Sequence, residues 1–309
     1  MTGSSHSDAE VCIAIATYER PVGLAQLIES IFRMENPPTY SISVVNNSPS
    51  GSIDDAIFAD APPECLGVQV VRESTPGIAA ARNAAVSLAS GSEFICFVDD
   101  DETVESDWLF RLVQRARNDC AAGVSGPVVF DFVGEPPSWA LEGNFYIIPD
   151  FTAGQSVQEA ATNNLLLRTE LFETYSFDSD YGLTGGSDIL LTRTMSRDGV
   201  KIVWEPEARV REITTGERLS PRWLRRRAIR SGNTTARVSL SLTPKTYSSL
   251  LRVGVGGATR IAAAAVAMGV GGGLTTRTGA RGYRRLLRGV GYLRALTGQN
   301  IVEYGRTSR

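Results

Sequence analysis

The sequence predicts an α/β protein with a mostly parallel β-sheet, helices on both faces of the sheet, and a basic helical extension at the C-terminus. Three observations lead to this fold class. Short apolar segments alternate with amphipathic ones over residues 11–116, which is typical of parallel sheets covered by helices. Polar and acidic residues follow the ends of the apolar segments. The balance of charge then reverses after residue 217.

The first strand and helix are the clearest pair. The apolar run 11–16 predicts a buried strand. Pro21 suits the first turn of a helix, where the missing N–H is not needed. Pro37 and Pro38 prevent the helix from continuing. Between these prolines the apolar residues follow a helical period: Leu24, Leu27, Ile28, Ile31 and Phe32.

The same alternation predicts the remaining elements. We expect strands at 41–45, 67–72, 93–98 and near 126–132, 163–167 and 201–204. We expect helices at about 78–89, from Trp108 to Ala116, and near 187–198 and 220–231. The segment 134–160 is rich in proline, glycine and aromatic residues, which favours a long loop that serves as a lid or a specificity element.

The charge distribution divides the chain. Residues 218–309 carry 18 arginines and lysines and one acid, Glu303, whereas residues 1–217 carry 13 basic and 33 acidic residues. We therefore predict a disordered tail at 1–9, an α/β domain at 10–217 and a basic, partly apolar helical region at 218–309 that associates with a membrane.

Cysteine and histidine limit the possible chemistry. The four cysteines lack CxxC spacing, and Cys12 and Cys96 lie within apolar strands, so we expect free thiols in a reducing compartment. The N-terminus has no basic and apolar leader, which favours a cytosolic protein. The single histidine, His6, lies in the predicted tail. Histidine-based nucleophilic sites and zinc sites are therefore excluded, and acid–base chemistry falls to carboxylates, Tyr, Lys or Cys.

An acidic cluster, Asp99-Asp100-Asp101-Glu102, directly follows the strand at 93–98. Ligands of open α/β sheets bind at the carboxyl ends of strands, and carboxylates with phosphates are ligands of Mg²⁺ and Mn²⁺. A solvated turn that caps the next helix is an equally good interpretation of the cluster alone.

Other polar residues are expected near this cluster. Thr17, Tyr18 and Glu19 follow the first strand and Asn46 ends the second. Arg82 lies near the start of a helix, where it would reach a phosphate or an acid of the cluster, or form a surface ion pair. No glycine-rich loop follows the first strand, which argues against a dinucleotide oxidoreductase or a nucleotidyltransferase.

Taken together, the segments ATYERP, VVNNS, PGIAAARNAA and FVDDDE resemble family 2 glycosyltransferases of the GT-A fold. The segment FDSDYGLTGGSDILLTRTMSRDGVKIVWEPEARVRE is similar to the second half of that family, in which a strand with the letters PEA follows the acidic residue. The resemblance covers roughly residues 10–231.

The resemblance implies an inverting transfer of a sugar from a nucleotide-sugar donor, with a divalent cation, Mn²⁺ or Mg²⁺. It implies Asp188 as the general base that deprotonates the acceptor hydroxyl. It implies metal contacts by Asp101, Asp99 and Glu212. The donor contacts that it implies are Thr17, Tyr18, Glu19, Asn46, Arg82, Asp99 and Asp100. Asp188 also suits a first-turn acid of a helix.

Two positions depart from the family pattern. Asn46 stands where the family usually has Asp; its amide oxygen can still accept a hydrogen bond from a pyrimidine N3–H, which leaves uridine and thymidine donors open, with a UDP-sugar favoured. Glu212 stands where the family often has a metal-binding His, and it would bind Mg²⁺ or Mn²⁺ or pair with Arg209 or Arg211. These departures leave open a catalytically degenerate member that acts as a membrane-bound partner in a polysaccharide assembly complex.

Four further residues were weighed as sugar contacts. Asn163, Asn164, Trp139 and Trp204 are equally well explained as turn and core residues.

The C-terminal region predicts a membrane partner. Residues 253–274 are long and apolar enough to span a bilayer, but Arg260 interrupts them and the following tail is basic. We therefore expect helices that lie on the anionic inner face of the cell membrane, with a packed helical hairpin as the next choice. This location favours a glycan or polyprenyl-linked acceptor in surface polysaccharide assembly. Nucleic-acid binding is not expected, because the arginines are interleaved with leucines.

Overall fold

A computed structural model describes residues 9–49, 51–244 and 246–303. A seven-stranded sheet forms its centre. The strands are β1 (Val11–Thr17), β2 (Tyr40–Asn46), β3 (Cys65–Arg72), β4 (Phe94–Asp99), β6 (Gly123–Ser125), β8 (Asn164–Arg168) and β9 (Ile202–Trp204). They lie in the order β3-β2-β1-β4-β8-β6-β9. Only β8 runs antiparallel to its neighbours within this sheet. The predicted mostly parallel sheet is confirmed.

Helices cover both faces of the sheet, as expected. On one face lie α1 (Pro21–Phe32) and α3 (Trp108–Asn118), and on the other lie α2 (Ile78–Leu88) and α5 (Ser187–Arg197). Side chains alternate along a strand, so Ile13 packs towards the first pair of helices and Cys12 towards the second. Cys12 and Cys96 are buried free thiols.

A second sheet of three strands lies beside the carboxyl end of β4. It is formed by β5 (Glu102–Val104), β10 (Val210–Thr214) and β7 (Val128–Phe132), with β10 in the centre. The register places Glu212 opposite Glu102, which carries Glu212 to the acidic cluster. The expected strand with the letters PEA is wrong. Residues 206–208 form a turn before β10, because Pro206 lacks an N–H and the Glu205 carboxylate accepts the Glu207 N–H.

Three long helices follow: α7 (Pro221–Ser241), α8 (Tyr247–Val270) and α9 (Arg277–Leu296). Glycines allow close contacts between them, since a Cβ on Gly232 would lie 2.1 Å from the Arg288 carbonyl oxygen. The helices α8 and α9 form a packed hairpin. Within the described chain, α8 is the one helix whose length and hydropathy would allow it to cross a membrane.

The segment 134–160 is mostly loop, as expected, but contains α4 (Ser138–Glu142). Its Trp139 and Phe145 pack with α7 and α9. A short helix, α6 (Gly216–Leu219), leads into α7, which extends ten residues beyond the helix expected near 220–231. The predicted tail at 1–9, with His6, lies outside the described residues except for Ala9.

Candidate active site

A cavity of about 320 Å³ opens where β1 and β4 end. Its wall combines the ends of these strands with α6 and α7 and with the last described residue, Glu303. The lining residues are Ala16, Thr17, Tyr18, Arg20, Asn47, Ile78, Ala81, Asp99, Asp100, Asp101, Asn163, Glu212, Arg218, Trp223, Arg227, Arg230 and Glu303. Six of the residues predicted from the sequence therefore meet in one cavity: Thr17, Tyr18, Asp99, Asp100, Asp101 and Glu212.

Asp100 fixes the loop after β1. Its carboxylate is 4% exposed and accepts hydrogen bonds from the Thr17 hydroxyl at 2.7 Å and from the Arg20 guanidinium at 2.9 Å. Burial raises the pKa of Asp100, against the opposing effect of Arg20 and the Thr17 hydrogen bond. Because protein groups occupy both carboxylate oxygens, Asp100 positions Thr17 and Arg20 at the cavity wall. Its predicted role as a donor contact stays a prediction.

Asp99 faces Arg82, as the sequence suggested. The Arg82 guanidinium lies 3.3 Å from the Asp99 carboxylate, and Arg82 is 6% exposed, so the pair is not a surface ion pair. Burial raises the pKa of Asp99 to about 6, although Arg82 lowers it, and Asp101 and Asp100 add to the rise. Asp99 is thus under electrostatic strain that a bound cation would relieve.

Glu102 lies beneath the cluster. Its side chain is 2% exposed and accepts a hydrogen bond from the Asp99 backbone N–H at 3.1 Å. Burial, with the nearby carboxylates of Asp99 and Asp101, raises its pKa well above the ordinary value. Glu102 therefore supports the loop through its hydrogen bond with the Asp99 N–H.

Asp101 and Glu212 are joined by an arginine that the sequence did not single out. Arg218 donates one Nη to Asp101 and the other to Glu212. The expected pairing of Glu212 with Arg209 or Arg211 is wrong. Arg209 forms an ion pair with Glu207, and Arg211 forms ion pairs with Glu105 and Asp131.

The other residues expected to touch the donor lie around the loop after β2. The Asn46 amide is held by Gly51 and Ser48 and does not line the cavity, whereas Asn47 does. Asn47 donates to the carbonyls of Glu73 and Thr75 and accepts the Gly77 N–H, so it joins the end of β2 to the loop between β3 and α2. Glu19 is exposed, with a φ of 53°. Donor contacts by Asn46 and Glu19 stay predictions.

Asp188 lies in the first turn of α5. Gly185 and Gly186 precede it with φ values of 74° and 97°, so this turn requires glycine. The Asp188 carboxylate accepts the Ile189 N–H at 2.9 Å, and its charge contributes to the raised pKa of Asp99. The first-turn position is therefore observed, and the role of general base remains compatible with it.

Of the four residues considered as sugar contacts, three are structural and one lines the cavity. Asn164 is 1% exposed and bonds Trp108 and the carbonyls of Pro127 and Ala208, so it is structural. Trp204 is buried against Phe151, and Trp139 packs with Phe145. Only Asn163 lines the cavity.

Sequence reasoning also missed the basic wall of the cavity. Arg227 lies 5.0 Å over the Trp223 ring, and its Nη1 is buried without a hydrogen-bond partner in the described structure. Burial lowers the pKa of Arg227, and the charges of Arg230 and Arg218 lower it further against the effect of Glu212. The dense arginines of residues 222–230 were the available signal, but they were interpreted as a membrane surface alone.

The carboxylates suit a hard divalent cation, yet they are not preassembled around one. Within residues 9–49, 51–244 and 246–303, no three acidic, histidine or cysteine side chains are grouped to hold a metal ion. Asp101 and Glu212 are instead bridged by Arg218. The chemistry of these carboxylate oxygens fits Mn²⁺ or Mg²⁺.

The strand order, the acidic cluster at the end of β4 and the cavity above it define a glycosyltransferase of the GT-A fold. Residues 12–176 match the model of the family described as "Glycosyl transferase family 2". The chain is 32% identical over 237 residues to the succinoglycan biosynthesis protein ExoM of Rhizobium meliloti, which covers 75% of each chain. The chain therefore belongs to glycosyltransferase family 2.

More distant proteins share parts of this similarity. A glucosyl-dolichyl phosphate glucuronosyltransferase of Haloferax volcanii is 23% identical, over 70% of this chain and 72% of its own. Among solved structures, a mannosyltransferase from Pyrobaculum calidifontis in complex with GDP-Man and Mn²⁺ has a TM-score of 0.64 at 16% identity and covers 94% and 88% of the two chains. GalNAc-T7 with UDP, GalNAc and Mn²⁺ has a TM-score of 0.58 at 15% identity, covering 80% and 50%. These two structures confirm the fold.

Proposed function

We propose that the protein is an inverting glycosyltransferase that uses a nucleotide-diphosphate sugar, with a UDP-sugar favoured, to glycosylate a hydroxyl of a glycan or lipid-linked acceptor in surface polysaccharide assembly. The observation that carries this proposal is the meeting of Asp99, Asp101 and Glu212 at one cavity. The polysaccharide acceptor is supported by the similarity to ExoM.

In this proposal, Asp101, Asp99 and Glu212 hold a divalent cation, Mn²⁺ or Mg²⁺. The bound cation supplies positive charge that stabilises the departing nucleoside diphosphate. Thr17 and Tyr18, held by Asp100, line the nucleoside side of the cavity. Arg82 keeps Asp99 ionised by its positive charge, since it lowers the pKa of that carboxyl.

Asp188 takes the proton of the acceptor hydroxyl as that oxygen attacks the anomeric carbon, and the nucleoside diphosphate leaves from the opposite face. This step requires an ionised carboxylate close to the donor. The location of Asp188 in the first turn of α5, after two glycines with positive φ, supports the assignment, although Asp188 is not among the residues that line the cavity.

Release of nucleotide from a panel of sugar donors tests the activity. We expect release that depends on Mn²⁺ or Mg²⁺, that EDTA abolishes, and that Asp101→Asn lowers at least 100-fold, as is typical when a group that stabilises transition-state charge is lost. Asp131→Asn is the matched control, because Asp131 pairs with Arg211 away from the cavity. No release with any donor would favour the alternative, a degenerate member that serves as a partner in a polysaccharide assembly complex.

We also propose that the C-terminal helices rest on the anionic inner surface of the cell membrane. The outer side of α8 exposes an apolar stripe: Tyr247, Leu250, Leu251, Val255, Val266 and Val270. The neighbouring α9 exposes Arg277, Arg281, Arg285 and Arg294. Apolar residues with flanking arginines suit an anionic lipid surface.

A further inference from the structure

Arg218 lies between two of the carboxylates assigned to the cation. Its two terminal nitrogens bond Asp101 and Glu212 separately. Although burial alone would lower the pKa of Arg218, Asp101 and Glu212 raise it above the ordinary value, so the guanidinium stays charged. The guanidinium occupies one oxygen of each carboxylate and the space between them, so a cation placed between Asp101 and Glu212 would compete with it for position and for negative charge.

The other arginines of the cluster do not have this bridging position. Arg82 pairs with Asp99, and Arg20 pairs with Asp100 and Asp101. Glu212 is 7% exposed, so leaving its charge uncompensated would be unfavourable. In the absence of a divalent cation, Arg218 supplies that compensation.

The backbone of Arg218 is held independently of its side chain. The Tyr146 hydroxyl donates a hydrogen bond to the Arg218 carbonyl at 2.9 Å. The Arg218 guanidinium also lies 6.0 Å from the Trp223 ring and lines the open cavity. The side chain therefore has space to swing into the cavity while α6 stays in place.

We propose that Arg218 is an exchangeable counterion: it bridges Asp101 and Glu212 in the cation-free enzyme, is displaced when the divalent cation binds, and then faces an anionic ligand in the cavity. This inference rests on the proposed cation site. It makes Arg218 a positioning residue that keeps the carboxylates neutralised between turnovers.

Binding of Mn²⁺ alone and of UDP with saturating Mn²⁺, both by calorimetry on the full chain, tests the proposal. We expect Arg218→Gln to bind Mn²⁺ alone about tenfold more tightly than the wild type, because the cation no longer competes with a guanidinium. We expect the same variant to bind UDP with Mn²⁺ more weakly, because a counter-charge is lost. A merely structural role would move both affinities in the same direction.

Arg211→Gln is the matched control, since Arg211 lies next to Glu212 on β10 but pairs with Glu105 and Asp131, and the substitution should change neither affinity. Arg218→Lys keeps the positive charge but cannot bond both carboxylates through two nitrogens. Its affinity for Mn²⁺ should therefore lie between those of the wild type and Arg218→Gln. This variant replaces Arg218→Gln in the test if Arg218→Gln does not fold. If the wild type binds Mn²⁺ and the Arg218 variants bind it no more tightly, the role of Arg218 as an exchangeable counterion is wrong, whereas the proposed cation site stands. If the wild type binds no Mn²⁺ even with UDP, the proposed cation site fails and the inference fails with it.

Discussion

At the scale of single residues, the protonation of the Asp99 carboxyl makes the charge of the site depend on pH. Burial raises its pKa to about 6 against the lowering effect of Arg82. The folded state therefore holds this proton more tightly than the unfolded chain does. As the pH rises through about 6, the stabilising contribution of the protonated group is lost, and an ionised ligand becomes available.

We expect the affinity for Mn²⁺ to fall as the pH is lowered through about 6, because proton and cation compete for Asp99. Calorimetric titrations between pH 5 and pH 8 measure this. The Asp99→Asn variant should bind more weakly and with a flatter pH dependence. An unchanged pH dependence in that variant would show that another group is responsible.

Burial raises the pKa of Glu102, which favours its protonated form, so we expect a neutral amide to replace this side chain with little effect. Glu102→Gln keeps the acceptor for the Asp99 N–H and introduces no charge. We expect its free energy of unfolding at pH 5 to lie within about 1 kcal/mol of the wild type and its activity to be retained. Chemical denaturation measures the difference. Loss of activity would instead identify Glu102 as a charged ligand.

Residues close together in the sequence were the ones that could be predicted. The acidic cluster follows one strand directly, and Asp188 follows a pair of glycines. Arg218 was not singled out, because its partner Asp101 lies 117 residues earlier in the chain and no local pattern joins them. The sequence suggested Asn46 and not Asn47 as a cavity residue. Two adjacent asparagines cannot be distinguished by pattern alone, because the sequence does not show which amide faces the cavity and which closes the turn.

At the scale of elements, the approach of α1 to the acidic cluster depends on Gly23. A Cβ at this position would lie 2.5 Å from the Asp100 carbonyl oxygen. We expect Gly23→Ala to destabilise the fold by about 1–3 kcal/mol through overpacking, and to weaken binding of UDP with Mn²⁺ by displacing the cluster. Val22→Ala is the control, since Val22 is 71% exposed on the same helix. Equal thermal stability of the two variants would contradict this role.

The longer elements were predictable because their apolar periods are distinct. The strands β5 and β6 have three residues each, too few for a period to be recognised. The position of Glu212 depends on the pairing of β10 with β5, which is a tertiary contact.

At the scale of the whole molecule, the three C-terminal helices are connected to the cavity through α7. Trp223, Arg227 and Arg230 of α7 line the cavity, and α7 packs on α9, which packs on α8. The division of charge along the chain could be read from the sequence. The packing of α7, α9 and α8 on one another could not, because it depends on glycine contacts between helices.

We expect the protein to bind vesicles that contain phosphatidylglycerol, to bind phosphatidylcholine vesicles less, and to be released by salt. Replacing Leu250, Leu251 and Val255 with Ser should reduce binding without unfolding the protein, because all three are exposed. Co-sedimentation with vesicles measures this. A control variant replaces three exposed residues elsewhere, Val22, Val133 and Leu141, with Ser. Equal loss of binding in both variants would rule out α8 as the contact.

The central claim is that the carboxylates at the end of β4 hold the donor diphosphate through a divalent cation. Calorimetric titration of UDP into the full chain, with Mn²⁺ and with EDTA, tests it most directly. We expect the wild type and Asp131→Asn to bind UDP only when Mn²⁺ is present, and Asp101→Asn to lose that binding. Equally tight binding of UDP with EDTA, or by Asp101→Asn, would contradict it.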